Sequence, residues 1–214
     1  MFEIYVQNKF LKTPLGNLIQ VPTLALARAI EEEWEKDPSP YYQQKPLTSL
    51  VATALDQVEE ARTTYIAHVI QAVPKDVILF WASMPDSLVK LQEEKWAPLI
   101  EEVNLALGLS LKPNFSLSIA SLSSEEENKV KEFLDRQTTF KLAGFVHLLT
   151  LTSSFCISFL VIQSCLSPEK AWSLAHLHEH DQRHTWGEDE EALILEKSQR
   201  EEFLETIRFL KLIM

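Results

Sequence analysis

In the run SPEKAWSLAHLHEHDQRHTWGEDEE, from Ser167 to Glu191, His176, His180 and His184 recur every four residues. That spacing places three imidazoles on one side of a helix, where nitrogen donors can converge on a metal. His178 falls on another face, and Glu179 sits between His178 and His180 without the second histidine that a His-Glu-x-x-His site requires. The expectation is histidines packed or hydrated near a surface, with no metal site; a His-rich metal-dependent enzyme is the lesser alternative. A second pattern crosses the same run. Trp172, Ala175, Glu179, Gln182 and Trp186 are spaced by threes and fours, so two indoles, a carboxylate and an amide share one helical stripe. Such a stripe is suited to recognising another surface.

Other reaction chemistry finds little support. Ser153 and Cys156 lie in an apolar run with no base or orienting group identifiable beside them, so both are expected to pack in the core. The four glycines, Gly16, Gly108, Gly144 and Gly187, form neither a phosphate-binding loop nor a nucleophile elbow. Cys156 and Cys165, nine residues apart in one apolar region, are too distant for a mutual disulfide along a continuous helix and read as reduced core thiols. No catalytic residue and no cofactor is expected. A net charge of −11, without a basic cluster, argues against nucleic acid as a partner.

The elements that must position the Ser167–Glu191 run follow from periodicity and capping. The 214 residues are enough to bury a substantial core. Phe2–Val6, Phe10–Thr13 and Leu18–Val21 read as strands of a small antiparallel meander. Thr23 caps a helix whose apolar stripe is Ala27, Ile30 and Trp34. A helix from Pro46 has the core face Leu47, Leu50, Val51, Ala54 and Val58, and Val77–Trp81 reads as a buried strand. A long helix begins at Pro85, with Pro98 expected to bend or divide it. Phe115–Ala120 reads as a further strand. Ser123 or Ser124, with Glu126 or Glu127, forms a capping box for a helix over about 125–137. Ser167 and Pro168 start a helix running toward Trp186, which Gly187 bends or ends. Ala192, Leu195, Gln199, Phe203, Ile207 and Leu210 form the stripe of a terminal helix expected to dock on the apolar central one.

That central segment, Leu142 to Leu166, has no Lys, Arg, Asp or Glu over 25 residues, which is long enough to span a bilayer. His147, Gln163 and a series of hydroxyls raise the insertion cost. A buried helix broken near Thr150–Ser154 is therefore expected, with no stable membrane insertion; an interaction protein anchored through 142–166 is the alternative. The fold class expected is α+β: a small N-terminal domain over 1–84, with an antiparallel β meander and covering helices, then a mainly α-helical domain over 85–214. The strand 115–120 could return to the first domain.

Several of these segments carry more than periodicity. Lys12-Thr13-Pro14, Pro22, Leu26-Ala27, Glu33-Trp34, the block Pro46 to Asp56, Gln92, Trp96, Pro98 and Leu99, Leu142-Ala143, Ser153-Ser154, and the run from Ser167 through Trp172 to Trp186-Gly187-Glu188 occur in an order that resembles the ATP12 family, assembly chaperones for the F1 part of ATP synthase. The likeness covers about residues 2 to 210. Phe80-Trp81 replaces the family's Tyr-Arg pair, and Ala97 replaces its usual acid. The resemblance implies an ATP-independent chaperone that binds the F1 alpha subunit and prevents its aggregation before alpha and beta assemble. Glu179, Gln182, Trp186 and Glu188 would contact this client, with Trp172 and Gly187 as structural support. The protein is expected to be a monomer. The amino end has neither a secretory signal nor an Arg-rich presequence, so the expected location is the bacterial cytoplasm, or the mitochondrial matrix for a processed organellar protein.

Overall fold

The structure, a computed structural model, describes residues 1–39, 42, 45–115, 119, 121–178 and 190–214. Its contacts gather the chain into two compact units: Met1–Tyr65 with Gln137–His147 and Glu201–Met214, and Ile66–Arg136 with Leu148–Arg200. This grouping differs from a single cut at 84/85, because each unit draws on separated stretches of chain.

In the first unit the expected meander is present in short pieces. β1 (Phe2–Glu3) pairs antiparallel with β4 (Gln20–Val21), and β2 (Tyr5–Val6) pairs antiparallel with β3 (Lys9–Phe10). Gln7 and Asn8 both have positive φ, 51° and 62°, as a two-residue hairpin turn matching the strand twist requires. An isolated bridge, Lys12 to Leu18, closes the second turn, where Gly16 sits at φ 89°. Ile4, Leu11, Ile19 and Val21 are buried beneath α1 (Leu24–Lys36), which buries Leu26, Ala27, Ile30 and Trp34. Thr23 caps α1 by accepting from the Leu26 N–H at 3.2 Å, and its hydroxyl donates to the Leu212 carbonyl.

Two carboxylates fasten this unit across long sequence separations. Glu33 of α1 reaches the start of α2 (Pro46–Thr53) and accepts from Leu47 N at 2.8 Å and from Thr48 N at 3.0 Å, satisfying donors that a helix start leaves unpaired. Burial pushes the Glu33 carboxyl up from its usual range, against the pull of those bonds. α2 buries Leu47, Leu50 and Val51 and continues as a π turn over Ala54–Val58, with Ala54 and Val58 also buried. That turn presents Asp56, which accepts from Thr13 Oγ1 at 2.6 Å, Asn17 Nδ2 at 2.8 Å and Leu15 N at 3.1 Å. Burial works against the Asp56 charge, but these donors hold its carboxyl below the usual range. A depressed folded-state pKa stabilises the fold above the unfolded pKa and stops doing so as pH falls through the folded value. Asp56→Asn should therefore cost about 1–3 kcal/mol at pH 7, the range for hydrogen bonds to a charged group, with the difference from wild type vanishing in acid. Urea titrations from pH 7 to pH 3 check this; a difference independent of pH would rule the charge out as the cause.

The same unit contains Gln137–His147, from α6 (Thr139–Thr152), and Glu201–Met214, from α9 (Glu190–Leu212). They approach closely: a Cβ built on Gly144 would lie 2.7 Å from Leu210 Cδ2, and His147 Nε2 is 3.0 Å from Glu202 Oε1. The terminal helix therefore docks on the central one here, with Phe203, Ile207 and Leu210 buried. Leu195, expected on the same inward stripe, is 60 % exposed.

In the second unit α3 (Arg62–Ala72) ends in a 3-10 turn at Val73–Lys75. Val77–Trp81 is not a strand: Asp76 caps a 3-10 turn over Val77–Leu79, and only Phe80 forms a bridge, parallel, to Asn114. Of the expected strand 115–120, residues 116, 117, 118 and 120 lie outside the described residues, and Phe115 and Ile119 are in no strand. α4 (Asp86–Leu107) runs through Pro98 without division and ends at Gly108, whose φ of 66° supplies the left-handed cap. Pro98 is exposed, so water can satisfy the carbonyl that has lost its partner. α5 (Ser124–Asp135) has Ser123 and Glu126 in a complete capping box. The apolar segment breaks where expected: α6 ends at Thr152, Ser153 adopts φ 50°, and Ser154 caps α7 (Phe155–Ile162), every residue of which is buried. Among the described residues no helix is long and apolar enough to cross a membrane. Cys156 is buried as expected, whereas Cys165, past the end of α7, is exposed rather than core.

Candidate functional site

Part of the chain between Ser167 and His178 is held by α4. α8 (Pro168–Ala175) begins as the sequence requires, with the Ser167 hydroxyl accepting from Lys170 N and Pro168 in the first turn. It ends at Ala175, where His176 leaves helical geometry at φ −107°; Leu177 and His178 are helical again, and the rest of the expected helix toward Trp186 lies outside the described residues. Trp172 is 3 % exposed and stacks on His176, with ring centroids 3.9 Å apart. Trp172 is therefore a buried indole packed against the residue that follows α8.

Two α4 side chains, one turn apart, clamp the backbone and side chain beyond it. Trp96, fully buried, donates from Nε1 to the Leu174 carbonyl at 2.9 Å. Gln92, also fully buried, accepts from the Ala82 N–H through Oε1 at 2.9 Å, which leaves its amide NH2 facing His178 Nε2 at 2.8 Å. With the amide so oriented, His178 Nε2 is the acceptor, and its ring also lies 5.1 Å from that of Trp96. The histidine run is thus tied to the core at His176 and His178. Glu179, Gln182, Trp186, Gly187 and Glu188 follow at once in sequence and lie outside the described residues, as do His180 and His184.

Sequence reasoning found Gln92 and Trp96 as motif residues, but it gave neither of them a partner. The missed signal was a polar residue one turn from a tryptophan on the apolar face of a long helix. Asp76 was also missed. It is 1 % exposed and accepts from Ile78 N at 3.1 Å and from Cys156 N at 2.8 Å, so one carboxylate joins the 3-10 turn to the start of α7. Burial pushes the Asp76 carboxyl up, and burial next to that carboxyl pushes the Cys156 thiol well above its usual value. A thiol in that state is a packing residue. Trp81, in the position of the family's arginine, donates to the Ile78 carbonyl at 2.9 Å and packs edge-on against Phe115. Among the described residues no group of three or more His, Cys, Asp or Glu is placed to hold a metal ion.

Each buried polar cluster described above fastens one element to another, and the stripe they lead to combines apolar and carboxylate side chains. A family model described as ATP12 chaperone protein matches residues 1–104. The mitochondrial protein atp12 of Schizosaccharomyces pombe is 28 % identical over 202 residues, covering 88 % of this chain and 69 % of that protein. The crystal structure of Atp12 from Paracoccus denitrificans superposes with a TM-score of 0.88 at 27 % identity, over 97 % of this chain and 89 % of that one. The Atu1473 protein of Agrobacterium tumefaciens shares the fold, with a TM-score of 0.86 at 24 % identity, over 100 % of this chain and 84 % of that one. By model, relative and solved structure the chain matches the ATP12 chaperone family, as its motifs imply. The relatives are both mitochondrial and bacterial.

Proposed function

We propose that this chaperone holds the unassembled alpha subunit of F1 ATP synthase, without nucleotide, until the beta subunit displaces it. The observation that carries the reading is the Gln92 and Trp96 clamp. Two family-motif residues on α4 fix Leu174 and His178, which lead directly into Glu179, Gln182, Trp186 and Glu188. A rigid base under a segment of mixed apolar and acidic residues lowers the ordering cost of docking a client surface. In this reading the client contacts lie in residues 85–214, while 1–84 form the other half of the division proposed from the sequence. The chaperone acts as a monomer, in the bacterial cytoplasm or the mitochondrial matrix.

The test uses purified protein with isolated F1 alpha and beta subunits, without nucleotide, following light scattering and complex formation by size exclusion. Selective binding of alpha and suppression of its aggregation are expected, weakened about tenfold or more by Glu179→Ala or by changing Gln182 and Glu188 together, as for residues central to an interface. Wild type that binds neither subunit removes the alpha-subunit reading. Binding that survives both variants moves the site away from these residues.

A further inference from the structure

The first three turns of α9 contradict the pattern that places them in the core. From Glu191 to Arg200 no side chain is buried, although Ala192-Leu193-Ile194-Leu195 is a continuous aliphatic run. Ile194 is 66 % and Leu195 60 % exposed, whereas about two and three turns further on Phe203 and Ile207 are 0 % and 6 % exposed. Four consecutive apolar residues occupy the whole circumference of a helical turn, so no single core face could have absorbed them. An exposed run of this kind is a sequence error unless something covers it in use.

Its setting specifies what that cover must be. Between Glu188 and Glu202 the chain has seven carboxylates, Glu188 to Glu191, Glu196, Glu201 and Glu202, against Lys197 and Arg200, a net charge of −5 in fifteen residues. The run also begins four residues after Glu188, the last of the proposed client contacts. Resting on the client reading above, we propose that the Ala192–Leu195 turn is a second docking element for the same client. Its occupant is a client segment that presents aliphatic side chains between lysines or arginines. The aliphatic turn supplies the apolar contact, and the carboxylates on either side of it in the chain favour a basic flank. A second copy of this chain is a poorer fit, because its net charge of −11 would oppose this acidic stretch.

The experiment compares the full-length wild type with an Ile194→Gln, Leu195→Gln double variant for binding of isolated alpha subunit, at low and moderate salt. Glutamine is a good helix former and both sites are exposed, so circular dichroism and thermal unfolding should be unchanged. Alpha binding is expected to weaken about tenfold or more in the variant, and wild-type affinity to fall as salt rises. Equal binding by wild type and variant overturns this inference while leaving the client reading intact. So does a variant that only abolishes self-association in sedimentation, since the occupant is then a second copy. Wild-type affinity indifferent to salt removes the basic segment as occupant. If the wild type itself fails to bind alpha, the client reading falls first and this surface falls with it.

Discussion

Trp96→Ala is expected to lower the unfolding free energy by about 3–5 kcal/mol, the usual cost of truncating a fully buried tryptophan. The indole is fully buried, and its loss opens a cavity beside the His178 ring, which lies 5.1 Å from it. It also leaves the Leu174 carbonyl without the N–H that reaches it at 2.9 Å. Trp96→Phe separates the two effects, because it keeps most of the ring and removes only the donor. It should cost about 1–2 kcal/mol in stability, the range for leaving one buried acceptor unpaired. If Gln92 and Trp96 hold the run that leads to the client contacts, Trp96→Phe should also speed proteolytic cleavage around His176 at temperatures where the rest of the chain remains folded. Chemical denaturation with limited proteolysis checks both. A phenylalanine variant with normal stability and normal cleavage would show that the bond does not hold this run.

Asp76→Ala is expected to cost about 2–5 kcal/mol, because it strands two buried backbone donors, each worth roughly 1–3 kcal/mol when left unpaired. The donors are Ile78 N and Cys156 N, so the loss should appear as loosening of α7 where it starts. The pH dependence has the opposite sign to that of Asp56. Burial raises the Asp76 pKa in the folded state, so the fold binds its proton more tightly than the unfolded chain does. Its contribution to stability is then complete below the unfolded pKa and declines as pH rises through the folded value. The stability of wild type relative to Asp76→Asn should accordingly fall as pH rises from the ordinary aspartate range toward neutrality. Denaturation of both proteins across that interval measures it, and a difference that grows with pH would reverse the assignment.

These fastenings show what kind of information the chain carries locally. The Ser123 and Glu126 capping box, the break between α6 and α7 and the core face of α2 were all legible, because a cap, a hydroxyl-rich interruption and a helical period are each complete within a few residues. The apolar run Val77–Trp81 was not, since a short apolar run has no period that separates a strand from a turn. The Asp76 side chain, by accepting from Ile78 N, decided in favour of the turn. Pro98 was misjudged for a similar reason: its cost depends on which side of α4 it occupies, and the structure puts it in solvent.

The sequence by itself therefore determined the α+β class, the order of most of the helices and the likeness to the chaperone family, since motif order and capping are properties of the linear chain. Glu33, Asp56, Gln92 and Trp96 are among the residues that carry that likeness. Only the tertiary structure decided what these four residues do, because their partners lie from 10 to 86 positions away and no local pattern encodes such a pairing. It decided equally that Leu195 is a surface residue while Phe203 is core, although both lie on one helical stripe. A helix fixes which side chains share a face; whether that face meets a core or stays open depends on how far the packed elements extend along it.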